Sequence, residues 1–222
     1  MEIVTTPYGR FNWLELSAPN DKGKRTAVLM FPKNIEAMAS LIESGCPKEV
    51  AETNVADVEK FRDEVAQVIA DDGKHPKFNS KSKLFKDGDK YADQAEEDWK
   101  ADPENAGKDL PAYLGNTRGY WMMNAKTGFD LEFYGPRKSD GVRDDTWADS
   151  EIYNGSWGRF PIKPHPYNVD GNKGYTLYIS FWVQKWADDL PLGSTGGGSG
   201  GGGSVEDAVA FTPKASTSDY ID

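Results

Sequence analysis

Between Tyr175 and Trp186 the chain alternates more strictly than anywhere else, and that alternation limits what it can fold into. Leu177, Ile179, Phe181 and Val183 interleave with Tyr178, Ser180, Trp182, Gln184 and, at the end, Trp186. Successive side chains of a strand point to opposite faces, so one face here is wholly apolar and belongs to a core. The other carries large aromatics among polar residues, the make-up of a half-exposed sheet surface. The period of two calls for a sheet with one buried face.

Other segments supply partners for that strand. Residues 2–16 read as a strand with both faces partly covered, Phe11, Trp13 and Glu15 alternating with Asn12, Leu14 and Leu16. Pro19 to Gly23 carries turn chemistry, and Thr26 to Phe31 completes a hairpin. Asn34 is placed to cap a helix that presents Ile35, Met38, Leu41 and Ile42 and stops at Gly45. A second helix is expected from Asn54, with Val55, Val58, Phe61, Val65, Val68 and Ile69 at helical spacing, Asp57 in the first turn and Gly73 at the end. Lys74 to Asn116 is polar and aperiodic, the pattern of a long loop broken by short helical turns. Strands resume at Arg118 to Lys126, Asp130 to Tyr134 and Ser156 to Tyr167, and Asp170 to Gly174 links the last of these to the closing strand as a hairpin. Pro161, Pro164 and Pro166 remove three ladder donors, so their strand is an edge or is bulged. The expected class is a mainly β protein, a small barrel with two covering helices.

Composition narrows the function. The 222 residues suffice for one domain with a real core, taken as residues 1–190. Residues 191–204 read as a flexible Gly/Ser linker, and 205–222 as an acidic tail in which Glu206, Asp207, Asp219 and Asp222 face only Lys214. The longest apolar stretch, Ala27 to Phe31, is too short to cross a membrane. With Cys46 alone, a cytoplasmic location is expected. Two histidines, His75 and His165, with one cysteine do not make a zinc site, and no metal or cofactor is expected. The net charge of −10 restricts any nucleic-acid site to a local basic patch. Lys74 to Lys86 provides one, holding five lysines and no carboxylate interleaved with Phe78 and Phe85, directly before nine carboxylates between Asp87 and Asp109.

Catalytic motifs are missing. Gly155-Ser156-Trp157-Gly158 has the wrong order for a serine elbow, and no phosphate-binding glycine loop occurs. Asp87-Gly88-Asp89 with Asp93 and Asp98 glances at a calcium loop, but Tyr91 and Ala92 stand where a ligand and the turn glycine belong. Asp144-Asp145 and Asp188-Asp189 are merely adjacent. What remains is the aromatic load, seven Trp, ten Tyr and ten Phe, beside strand cations. Nucleobases stack on such rings for about 1–3 kcal/mol each, while Lys and Arg follow phosphates. The candidate binding residues are Arg10, Trp13, Lys81, Lys83, Lys86, Arg118, Trp121, Trp157, Arg159, Lys163, Tyr178 and Trp182. The competing readings are a carbohydrate-binding module that stacks sugars on Tyr178 and Trp182, and a virion assembly protein whose rings are simply core; an enzyme is the least supported class.

The order of elements is similar to that of the single-stranded DNA-binding proteins of tailed phages. Thr6-Pro7-Tyr8-Gly9-Arg10-Phe11 looks like that family's opening strand. Ile152-Tyr153-Asn154-Gly155-Ser156-Trp157-Gly158-Arg159 resembles it more specifically, followed by Pro164-His165-Pro166-Tyr167, Gly171-Asn172-Lys173-Gly174 and the strand ending Val183-Gln184-Lys185. Residues 74–150 carry no such likeness, and Phe181-Trp182 adds a residue that a β-bulge would absorb. The resemblance implies an OB-fold-like five-stranded barrel with a long central insertion. It implies single-stranded DNA binding with little sequence preference, protection of DNA during phage replication and recombination, and residence in the host cytoplasm. It also implies a tail that competes with DNA and recruits replication or recombination proteins, with Asp219, Tyr220, Ile221 and Asp222 as the gripped peptide. A homodimer is compatible with it. An acidic peptide on a tether is a rival to DNA at high effective concentration. Deleting residues 205–222 is therefore expected to tighten binding of a single-stranded oligonucleotide at low salt, measured by fluorescence titration; unchanged or weaker binding refutes the competition.

Overall fold

The computed structural model describes residues 1–16, 19–136, 151–189 and Leu192. Apart from Leu192, the expected linker and the tail, including Asp219 to Asp222, and the Asp144-Asp145 pair lie outside these residues. The first hairpin forms where the sequence places it. A short β1 (Val4–Thr5) leads into β2 (Gly9–Glu15), which turns back into β3 (Arg25–Pro32). Asn20 closes the turn, its side-chain oxygen accepting from the Lys22 and Lys24 amides at 3.0 and 3.1 Å. Beyond β3, Asn34 accepts from the Ala37 amide at 3.1 Å and starts a 3₁₀ turn that runs into α1 (Ala39–Glu43).

Ten strands among the described residues join one curled mixed sheet. The later ones are β4 (Phe85–Asp87), β5 (Tyr120–Thr127), β6 (Glu132–Tyr134), β7 (Trp157–Arg159), β8 (Pro161–Val169), β9 (Asn172–Ile179) and β10 (Trp182–Ala187). The order across the sheet is β1-β8-β9-β5-β3-β2-β7-β10-β6, with β4 paired to β5. Five strands have seven residues or more, β8, β9, β5, β3 and β2, and they are consecutive in that order. They are the five-stranded OB-like unit, and the parallel pairing of β5 with β9, Lys126 opposite Tyr178, joins its halves. β1 flanks β8 only at Pro161 and Ile162, so residues 163–169, with Pro164 and Pro166, form the expected edge.

Both sheet faces carry buried side chains. On the inner face Phe11, Leu29, Phe31, Met123, Leu177 and Ile179 pack with Val58, Phe61, Val65 and Ile69 of α2 (Lys48–Asp72). Each buried side chain of this size contributes about 1.5–3 kcal/mol. On the opposite face Met30, Tyr120, Met122, Trp157 and Trp186 form a second cluster, capped by Met38 and Leu41 around α1. Asp189 fastens that cluster. Its carboxylate, 1% exposed, accepts from Ser40 Oγ at 2.9 Å and Trp157 Nε1 at 2.8 Å and lies 3.7 Å from Arg10 Nε.

Three expectations are corrected. The second helix begins at Lys48, not after Asn54, with Pro47 before it and the Pro47 carbonyl accepting from the Val50 and Ala51 amides at 3.0 and 3.2 Å; Asn54 is a buried mid-helix residue that spends its amide on Tyr8, accepting from Tyr8 N at 3.1 Å and donating to Tyr8 O at 2.9 Å. Gly73 ends the helix as expected, at φ +64°. The presumed loop 74–116 contains α3 (Ser80–Leu84), β4 and α4 (Gly88–Ala101), a fourteen-residue helix in which Tyr91, Ala92, Ala95 and Trp99 fall at helical spacing among acidic residues. Finally, the closing strand breaks after Ile179: Phe181 has φ +65° and is 69% exposed instead of joining Leu177 in the core, while Trp186 is buried in the second cluster. Among the described residues no helix is long and apolar enough to cross a membrane.

Replacing Asn54 with alanine leaves both backbone groups of Tyr8 without their partner. Asn54→Ala is expected to cost about 2–3 kcal/mol, read as a lower urea midpoint at unchanged slope; an unchanged midpoint would show that the amide link between α2 and the strand entry is dispensable.

Candidate functional site

α1 covers only one end of the outer sheet face. Strand register places the side chains beyond it. Asn12, Val28 and Asn124 lie opposite one another across β2, β3 and β5. Thr26, Lys126, Tyr178 and Lys163 form a second row across β3, β5, β9 and β8. Lys86 faces Met122 from β4. Two depressions of about 150 and 380 Å³ share Asn124 and Thr176 and make one groove along this surface. Lys83, Lys86, Met122 and Tyr175 line one part, and Trp13, Thr26, Val28 and Lys126 the other; the lining includes three lysines and no carboxylate.

Trp13 reaches the groove through a break in the strand. It is in phase with Phe11, which is fully buried, yet a bulge between Asn12 and Glu15 gives it φ +45° and leaves it 47% exposed. Its own amide donates to Asn12 Oδ1 at 3.0 Å, and the next amide, of Leu14, donates to Asn154 Oδ1 at 3.0 Å. The ring meets Tyr91 of α4 edge-on, with centroids 5.9 Å apart. A left-handed residue with a large side chain costs about 1–2 kcal/mol. Such strain collects at functional positions.

Charge pairing decides which cations are available. The acidic α4 takes two of them. Arg118 donates to Asp93 at 2.7 Å and to Glu96 at 2.6 Å, and these carboxylates raise its already high pKa further. Lys33 bridges Asp87 and Asp89 at 2.5 and 2.7 Å. Asp87 is also the α4 cap, accepting from the Asp89 and Lys90 amides, and Asp89 accepts from the Gly119 amide at 2.7 Å. The suspected calcium loop is thus a helix cap and an ion pair. Lys81 pairs with Asp63. Lys83, Lys86, Lys126 and Lys163 make no ion pair among the described residues.

The twelve sequence candidates therefore separate. Trp13, Lys83 and Lys86 line the groove, with Tyr178 and Lys163 in the adjoining row. Lys81 and Arg118 are held by carboxylates. Trp157 is 0% exposed and offers no face to a base. Its neighbour Gly158 is equally structural, since a Cβ there would meet Gln184 O at 2.3 Å and the Phe11 ring at 2.4 Å. Trp121 carries the Arg62 guanidinium 3.9 Å and Lys33 Nζ 4.4 Å from its ring centroid. Arg10 donates to Gly155 O at 3.1 Å within the Asp189 cluster, Arg159 donates to Gln184 Oε1 at 3.1 Å and covers the Tyr8 ring, and Trp182 lies on β10, outside the groove lining. Lys126, Asn124, Thr26 and Thr176 were not singled out from the sequence. Their signal was a polar residue at every second position beside Met123, Ala125 and Leu177.

No protein-family model matches the chain, and no curated protein matches it in sequence. Solved structures do match, phage single-stranded DNA-binding proteins among them. One is the C-terminally truncated single-stranded DNA-binding protein of bacteriophage Enc34, 16% identical, covering 85% of this chain and 88% of that chain with a TM-score of 0.52. The same protein in complex with single-stranded DNA matches at 16% identity, 86% and 89% coverage and a TM-score of 0.51. At this identity the likeness establishes a shared fold, that of the family named from the sequence motifs.

The Lys33 bridge also sets a pH dependence for the segment carrying Lys86. Burial works against ionisation of Asp87, but the Lys33 ammonium and the cap amides outweigh it and lower its pKa; Lys33 and the Gly119 amide lower that of Asp89. A depressed carboxyl pKa gives stability that is present above the unfolded value near 3.9 and is lost as pH falls through the folded values. Lys33→Met is thus expected to destabilise the protein at pH 6 and to cost progressively less below about pH 4, in urea titrations at several pH values. A cost independent of pH would refute the ion-pair account.

Proposed function

We propose that this chain is a non-catalytic protein that binds single-stranded DNA with little sequence preference in the groove on the outer face of β3 and β5. The observation that carries this reading is electrostatic: a protein of net charge −10 lines its uncovered sheet surface with lysines and no carboxylate. β3 and β5 are the second and third long strands, the face on which OB-folds hold oligonucleotides. Trp13 and Tyr178 supply rings for bases, and Lys83, Lys86, Lys126 and Lys163 supply phosphate contacts. Stacking on a ring needs an unpaired base, which favours single strands over duplex. The fold shared with a protein solved in complex with single-stranded DNA supports the same reading.

In this proposal residues 1–190 protect DNA in replication or recombination, in the host cytoplasm. Residues 191–204 tether an acidic tail that competes for the groove and, through Asp219, Tyr220, Ile221 and Asp222, recruits replication or recombination proteins. A sugar-binding site would have no need of the lysines.

Titration with an unlabelled oligonucleotide, following tryptophan fluorescence at two salt concentrations, tests the reading. Salt-sensitive quenching by the single strand and little by duplex is expected. Lys86→Gln with Lys126→Gln should weaken binding and reduce the log–log salt slope by about 1.4, roughly 0.7 for each lost phosphate contact. Trp13→Ala should lose most of the quenching and about 1–3 kcal/mol of binding. Absence of binding at low salt would overturn the proposal and turn attention to oligosaccharides.

A further inference from the structure

The two most exposed large apolar side chains of the described residues are Phe129, 79% exposed, and Phe181, 69% exposed. β5 and β9 run parallel with Lys126 opposite Tyr178. Three residues further along each chain stand Phe129 and Phe181, so the two rings leave neighbouring strands at the same end. Neither makes a ring or cation contact among the described residues.

Their backbones are pinned, which separates them from loose surface residues. The Phe129 amide donates to Thr127 Oγ1 at 3.2 Å, and its carbonyl accepts from Arg25 Nη1 at 3.4 Å. The Phe181 carbonyl accepts from the Glu132 amide at 2.9 Å, and the following Trp182 amide donates to Ser180 O at 2.8 Å. Within this clamp Phe181 adopts φ +65°, a conformation that glycine takes freely and an aromatic residue does not. Without it the ring would follow Leu177 and Ile179 inward, both at most 2% exposed. Trp13 repeats the arrangement: in phase with a buried Phe11, everted by φ +45°, and set at the groove.

We infer that Phe181 and Phe129 form a second base-stacking platform for single-stranded DNA, where the strand leaves the groove past Tyr178. This rests on the DNA-binding reading above. From Trp13 on β2 the path crosses three strand spacings to Tyr178 on β9, about 15 Å, with Lys126 on the way, and continues along the strand to the phenylalanines. Phenyl rings have no hydrogen-bonding group, so the platform adds affinity without sequence readout. Longer oligonucleotides gain from it and short ones do not.

The test compares wild type with Phe181→Gly and Phe129→Ser for binding oligothymidylates of increasing length, together with their melting temperatures. Phe181→Gly is expected to melt no lower than wild type, because glycine relieves the strained φ, while losing about fivefold or more of the affinity for long oligomers and little for the shortest that bind. Phe129→Ser, outside any strand, should show the same length-dependent loss. If wild type binds and both variants match it at every length, the platform is refuted while the groove stands. If they match it in DNA affinity but lose self-association, the pair is a protein contact and the inference is likewise overturned. If wild type binds no oligomer, both readings fall together.

Discussion

A buried carboxylate organises one end of this molecule. Asp189 follows β10 by two residues, and almost no water reaches its side chain. A charge in that position must be met by donors, and they arrive from distant parts of the sequence: Ser40 in α1, Trp157 in β7 and Arg10 in β2. Removing one partner from such a site typically costs about 3–5 kcal/mol. Through these bonds the end of the last strand is tied to the first long strand and to the helix over the second core. Where α1 lies, the outer sheet face is dry; where it stops, the same strands offer Asn124, Lys126 and Thr176 to solvent. The groove is the half of the sheet that the Asp189 cluster leaves uncovered.

Charge is arranged by the same economy of neighbours. The acidic α4 and its cap satisfy Arg118 and Lys33, and Asp63 satisfies Lys81, so three cations on this side of the molecule are already neutralised. The lysines left over share one surface. A count of charge along the chain conceals this, because the nine carboxylates after Asp87 do not lie over the lysines that precede them. Five of them are wound on α4 and Asp87 caps it, with Asp87 and Asp89 turned toward Lys33 and Asp93 and Glu96 toward Arg118.

Much of the fold was legible. Turn residues placed the first hairpin, Asn34 and Gly73 marked helix ends, and the prolines of β8 announced an edge. These signals are local: each rests on one residue's backbone chemistry. Failures came where a side chain was bound at a distance. Asn54 looks like a cap because caps are its commonest local use, yet its partner is Tyr8, 46 positions away. α4 was overlooked because its apolar residues, Tyr91, Ala92, Ala95 and Trp99, are few and set among carboxylates, although they fall at helical spacing. Trp157 and Arg159 sit in the most family-like stretch, where Trp157 is buried against Asp189 and Arg159 is engaged with Gln184 and Tyr8. Trp13 and Phe181 show the limit of alternation itself, since a single positive φ reverses the face a residue presents; the extra residue at Phe181-Trp182 signalled the second, and nothing signalled the first. The candidate site was half visible: its lysines from their run, its strand polar residues overlooked between apolar ones.

The proline-bearing edge of β8 has a consequence of another kind. Beyond its two pairs with β1, the side of this strand away from β9 has no strand partner among the described residues over 163–169. Proteins lined up along a common polymer meet edge to edge at concentrations far above those in free solution, where a continuous strand edge would zip onto its neighbour and fuse separate sheets into an aggregate. Pro164 and Pro166 lack the donors that such a ladder requires, and Lys163 places a charge beside them. Pro164 and Pro166 thus keep this edge from templating the growth of a second sheet.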